Sequence, residues 1–209
     1  SAKEPACFTL IGRAYVATGF AIVNVNQGGT GNPSVTREVW EYDQFANHWT
    51  RKADFAGYSR QAAVGFSIDI LNKGYVGLGQ DSLNQILSDV WEFDPLGWAN
   101  GNDVNGNPMG VWRQVADFGG GPRAGAVGFA IGDKAYVGTG NDGVNGGGNS
   151  YNDFWEFDPS VGFDGVWHLR APLPGHARYN AVGIGFGSSA GYIGTGEWHD
   201  PALHVTDDF

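Results

Sequence analysis

The chain has 209 residues, 42% of them hydrophobic and 14% aromatic, which is too apolar for a disordered polypeptide and long enough to bury a sizeable core. Its 35 Gly are more than twice the usual share of about 7%, without the Gly-X-Y period of collagen, so a turn-rich, all-β globule is expected. Twelve Lys and Arg against 22 Asp and Glu leave a net charge of −10, a field that repels phosphate and argues against nucleic acid or an anionic membrane as a partner.

From the N-terminus, SAKEPACF carries no apolar stretch of the kind a signal peptide requires. Cys7 is the only cysteine, so no intrachain disulfide and no Cys-x-x-Cys metal or redox pair can form. From Cys7 the chain reads CFTLIGRAYVATG, a short first copy of a pattern that then recurs three times. The later copies begin at Arg60 (RQAAVGFSIDILNKGYVGLG), Arg123 (RAGAVGFAIGDKAYVGTG) and Arg178 (RYNAVGIGFGSSAGYIGTG). Tyr15, Tyr75, Tyr136 and Tyr192 mark spacings of 60, 61 and 56 residues. Behind each Gly-rich end lies a variable loop, then WEYD at Trp40 or WEFD at Trp91 and Trp155. A second Trp follows in each copy, at Trp49, Trp112 and Trp167. The linkers ADFAGYSR, ADFGGGPR and APLPGHAR lead to the next Arg. Each unit thus holds four short apolar segments punctuated by Gly, Asn, Asp and Pro, which predicts strands joined by turns and almost no helix. No apolar run approaches the roughly 18 residues of a membrane span, so no membrane insertion is expected.

Four strands per unit, repeated radially, make a β-propeller blade. The glycine-ended second strand, the aromatic-acidic third strand and the downstream Trp resemble kelch repeats, in their bacterial and galactose-oxidase-like form. WD40 repeats have a shorter period and a closing Trp-Asp, which does not occur here. The sequence departs from the kelch pattern in replacing one glycine of each doublet, at Leu78-Gly79, Thr139-Gly140 and Thr195-Gly196. The resulting expectation is a partial kelch-type propeller. Its blades run over about residues 7–52, 60–115 and 123–170, with half a fourth over 178–209. Kelch propellers usually have six or seven blades, so the resemblance implies that the missing blades come from the rest of a longer chain or from another chain.

Six tryptophans, Trp40, Trp91, Trp155, Trp49, Trp112 and Trp167, are expected as structural repeat residues, with the first three buried between blades. Arg60, Arg123 and Arg178 recur near the channel on the face of the long loops 20–37, 80–88 and 141–152. Two roles are open to them: a ring that grips a ligand carboxylate, or a repeat device bonding loop carbonyls. Animal kelch adaptors read acidic peptides with arginines two residues further on, where this chain has Ala62, Gly125 and Asn180. The loops around Asp103 and Asp142 are rich in oxygen ligands but lack the DxDxDG spacing of a calcium loop, and no metal or other cofactor is expected. In the insertion at 96–111, Trp98 is expected to fold back onto its own blade.

Copper-radical kelch oxidases need two Tyr, two His and a Cys, of which Cys7, His199 and His204 are fragments with nothing in the sequence to unite them. No nucleophile motif, phosphate loop or HExxH occurs. The sequence therefore reads as a non-catalytic binding or scaffolding module for a protein or carbohydrate, part of a longer exported bacterial protein at the cell surface. The alternative is a carbohydrate-active enzyme, a galactose-oxidase-like copper oxidase or a sialic-acid mutarotase.

Overall fold

Segments that alternate a bulky apolar residue with a glycine or small residue cannot form a helix with one apolar stripe. They do form strands whose two faces differ in relief, and that difference sets the architecture. A computed structural model describes residues 4–23, 32–144, 147–199 and 203–205. In chain order the strands are β1 (Ala6–Leu10), β2 (Arg13–Ala17), β3 (Phe20–Val23), β4 (Asn32–Val35), β5 (Val39–Asp43), β6 (His48–Arg51) and β7 (Arg60–Gln61). They continue as β8 (Val64–Ile68), β9 (Lys73–Gly77), β10 (Gln80–Asp81), β11 (Val90–Asp94), β12 (Val111–Val115), β13 (Val127–Ile131) and β14 (Lys134–Gly138). The last are β15 (Phe154–Asp158), β16 (Val166–Arg170), β17 (Val182–Phe186), β18 (Ala190–Gly194), β19 (Glu197–His199) and β20 (Leu203–Val205). A 3-10 turn lies at Asp69–Leu71.

Three antiparallel four-stranded sheets have the orders β1-β2-β5-β6, β8-β9-β11-β12 and β13-β14-β15-β16, and β17-β18 forms a two-stranded fourth. The first strands of successive sheets are neighbours, β1 on β8, β8 on β13 and β13 on β17, so the sheets radiate from one side as in a propeller. The loop expected at 20–37 contains a hairpin, β3 on β4, because FAIV is strand-forming. Residues 24–31 within it lie outside the described residues.

The two hydrophobic cores sit between sheets, not within them. One face of each sheet carries a stacked Phe–Tyr pair: Phe8 on Tyr15 and Phe66 on Tyr75, each with ring centroids 5.1 Å apart. The edge of each Tyr meets a Phe of the next sheet, Tyr15 on Phe93 and Tyr75 on Phe157, both at 5.7 Å. That Phe packs on the second Trp of its own sheet, Trp112 or Trp167, which also meets Phe55 or Phe118 of the preceding linker edge-on at 5.0 Å. The indole N–H of Trp112 donates to the Ala53 carbonyl and that of Trp167 to Ala116, so each sheet is pinned to the linker before it.

The facing surfaces are glycine-rich because the backbones come close. A Cβ on Gly65 would lie 2.8 Å from the Cys7 carbonyl oxygen and 2.9 Å from its nitrogen. Cys7 occupies the same repeat position in the first sheet, where no described sheet covers it, and it is exposed. The same contrast runs through the outer sheets. Val64, Phe66, Ile68 and Tyr75 are buried, whereas their counterparts Val182, Ile184, Phe186 and Tyr192 are 57%, 56%, 68% and 60% exposed. Trp112 is 9% exposed and its counterpart Trp49 is 46% exposed.

Gly65→Val therefore destabilises the protein by about 1–3 kcal/mol through overpacking against backbone that cannot yield. Cys7→Val, at the uncovered copy of the position, stays within about 0.5 kcal/mol of the parent. Urea unfolding of both variants checks the pair.

Candidate functional site

The three recurrent arginines lie where linker, second strand and third strand meet, and they are the largest fully buried side chains of the described residues. A buried guanidinium must have its donors satisfied. Arg60 forms two bonds to the Asp89 carboxylate, Nη1 and Nη2 each at 2.7 Å, and donates to the carbonyls of Leu78 and Tyr58, both at 3.0 Å. Arg123 makes the same fork on Asp153 and donates to the carbonyls of Thr139 and Gly120. Arg178 donates to the carbonyls of Thr195 and His176, and the acidic stretch that matches Asp89 in the fourth repeat lies outside the described residues. In the first repeat the matching position is Ala2, also outside the described residues, and Glu38 takes its bonds from Trp40 and Arg51 instead.

Each carboxylate has a third partner. The indole N–H of Trp91 donates to Asp89 at 2.7 Å and that of Trp155 to Asp153 at 2.8 Å. This explains a departure from the sequence expectation: Trp40, Trp91 and Trp155 are half-buried, because each indole lies along the rim beside its acid and only part of the ring is covered. Burial raises the Asp89 carboxyl, but hydrogen bonds from Arg60, the Arg60 charge and the Trp91 indole outweigh it and hold the group below its ordinary value.

A second repeated device was not anticipated. Tyr15 donates to Glu41 at 2.6 Å, Tyr75 to Glu92 at 2.9 Å and Tyr136 to Glu156 at 2.9 Å. A cation backs each glutamate: Arg13 for Glu41, Arg113 for Glu92 and Arg170 for Glu156. Burial, then the neighbouring carboxylate, raises all three phenols, Tyr136 to about 12, so none ionises near neutrality. The signal in the sequence was the matched period of the Tyr in the second strand and the Glu in WEYD or WEFD.

The acids weighed as calcium ligands are engaged within the chain. Asp103 takes Lys52 Nζ at 2.6 Å, both side chains buried, and the amides of Asn105 and Asn107. Asp142 takes the Tyr151 hydroxyl at 2.7 Å and the Asn149 amide at 2.6 Å. The Lys52 contact carries the insertion onto the first sheet, and Trp98, expected to fold back, is 62% exposed. Among the described residues no group of three or more His, Cys, Asp or Glu is placed to hold a metal ion. The side chains of His199 and His204 lie outside the described residues.

One groove, of about 730 Å³, opens on the edge bearing the linkers and long loops, between the first and second sheets. It is lined by Arg37, Tyr58, Ser59, Ser88, Trp91 and Gln114 together with Asp89, whose partner Arg60 is buried behind it. Its size lies in the range of small-ligand sites.

No protein-family model matches the chain, and no curated protein matches it. Among solved structures, that of YjhT is similar, with a TM-score of 0.69, 17% identity, and 94% of this chain covered. The match covers 59% of the YjhT chain, so this chain spans less than two thirds of that length. A likeness at this identity establishes the fold, which is all-β and kelch-like in its propeller arrangement.

The depressed Asp89 carboxyl sets a pH dependence. Its contribution to stability is complete above the unfolded carboxylate value of about 3.9 and is lost as pH falls through the lower folded value. Chemical denaturation from neutral pH downward is therefore expected to show a constant gap between the parent and Asp89→Asn, which closes below about pH 4.

Proposed function

We propose that the protein is a repeat-built binding module that presents ligand-contacting side chains on the loop edge of a rigid propeller. The observation that carries this reading is a division of labour in the repeats. Their recurrent ionisable groups are consumed inside the repeats, the Tyr–Glu–cation sets bracing strands of one sheet and the Arg–Asp forks tying each linker to its own sheet. The side chains along the loop edge differ from one junction to the next, as binding residues on a rigid scaffold do. Arg60, Arg123 and Arg178, weighed above as a carboxylate-gripping ring, serve as the floor that supports this edge.

A scaffolding role belongs to the same proposal. The exposed apolar face of β17 and β18, and that around Trp49, receive further sheets of the same repeat, supplied by the rest of the protein or by another chain. Buried counterparts of those residues in the inner sheets support this. An exported, cell-surface setting is also proposed, on the kelch resemblance and a composition low in Lys and high in Asn, Gly and Trp. The enzyme alternative would use Cys7 with His199 and His204, or an activity on free sugars.

Copper analysis, a galactose-oxidation assay and NMR of anomer exchange in free sugars separate the two readings. The binding reading predicts rates indistinguishable from buffer in both assays. Stoichiometric copper with oxidation, or accelerated anomer exchange, would overturn it.

A further inference from the structure

We propose that the groove between the first and second sheets binds an acidic sugar residue, with Arg37 as the partner of its carboxylate. The inference rests on the binding reading above and names the ligand class for one junction. Among the described residues, Arg37 is the single Lys or Arg whose side chain makes no ion pair, hydrogen bond or ring contact. It is exposed and lines the groove, whereas the side chains of the other described cations each have a partner.

The repeat gives an internal control. One junction further on, the positions of Arg37, Tyr58 and Ser59 are Ser88, Gly121 and Pro122, and at the third they are Asn152, His176 and Ala177. A residue that maintains the sheets recurs in register, as Arg60 does. Arg37 and Tyr58 occur once, so sheet packing does not account for them.

The chemistry of the lining selects the ligand. A guanidinium meets a carboxylate with two parallel bonds. Asp89 is the one acid in the lining, and its charge is matched by Arg60. The carboxylate of Glu38, next in sequence to Arg37, is held by Arg51 and Trp40. Tyr58 is 72% exposed, and its ring and the half-buried Trp91 both line the groove and offer apolar surface to the C–H face of a pyranose. The hydroxyls of Ser59 and Ser88, in the same lining, have no hydrogen-bond partner among the described residues and are available to sugar hydroxyls. A single cation against a net charge of −10 disfavours polyanions and suits one carboxylate.

The test is calorimetric or NMR titration with methyl β-glucuronide and methyl β-glucoside, which differ only in the carboxylate. The parent is expected to bind the glucuronide with a Kd of about 1 mM and the glucoside at least about tenfold more weakly. Arg37→Gln brings the glucuronide down to the glucoside level, Tyr58→Ala weakens both, and neither variant changes the melting temperature. Equal binding of the two glycosides, binding undiminished in Arg37→Gln, or no binding of either overturns the proposal. So does Arg37-dependent binding of an oligoglutamate peptide in place of the glucuronide. A methyl glycoside cannot mutarotate, and its cleavage releases visible methanol. Failure of the site and failure of the non-catalytic reading are thereby distinguished.

Discussion

A guanidinium taken out of water is tolerated only where fixed oxygens replace its hydration, and the packing of this protein is organised around that requirement. Arg60 bonds the linker through Tyr58, the end of the second strand through Leu78, and the start of the third through Asp89. Its own carbonyl accepts the N–H of Gly19 from the preceding sheet, as those of Arg123 and Arg178 accept Gly79 and Gly140. One residue thus joins three segments of its own repeat to the repeat before it. Arg123 repeats the carboxylate fork and the bond to the end of its second strand, but reaches its linker through Nη2 at Gly120 and leaves Nε unbonded; Trp91 and Trp155 complete the carboxylate shell from the outside.

That geometry explains the altered glycine doublets. Leu78, Thr139 and Thr195 have φ of 59°, 60° and 60°, followed by Gly79, Gly140 and Gly196 at 90°, 92° and 107°. Two successive left-handed residues turn the strand end so that the first carbonyl points at the arginine and the second N–H at the next sheet. The second position tolerates only glycine, because a Cβ on Gly79 would lie 2.5 Å from the Gln61 carbonyl oxygen. The first accepts a side chain at some cost in backbone strain, which burial of Leu78 offsets.

Much of this was legible in the sequence because repetition makes neighbours comparable. The period, the four strands per unit and the recurrent arginines follow from alignment of the chain with itself. The partners of those arginines did not, since Asp89 lies 29 residues from Arg60 and joins it only through the strand order. Half-burial of Trp91 and Trp155 was missed for the same reason: the acid that holds each indole at the rim became visible only with the fold. The insertion carrying Asp103 reads locally as a polar turn, and nothing in that segment announces that its acid seats the buried Lys52 of the preceding sheet. Arg37 and Tyr58 were within sight as departures from the repeat, but only the groove joins them.

The buried Arg–Asp fork fixes the linker and strand ends through which the main chain of one repeat bonds the repeat before it, and a double-mutant cycle on Arg60 and Asp89 by denaturant unfolding puts this to the test. Arg60→Met and Asp89→Leu are each expected to cost about 3–5 kcal/mol by stranding a buried charge. The double variant should then lose less than the sum of the two, by at least about 2 kcal/mol. Additive losses, or an Arg60→Met protein as stable as the parent, would contradict it.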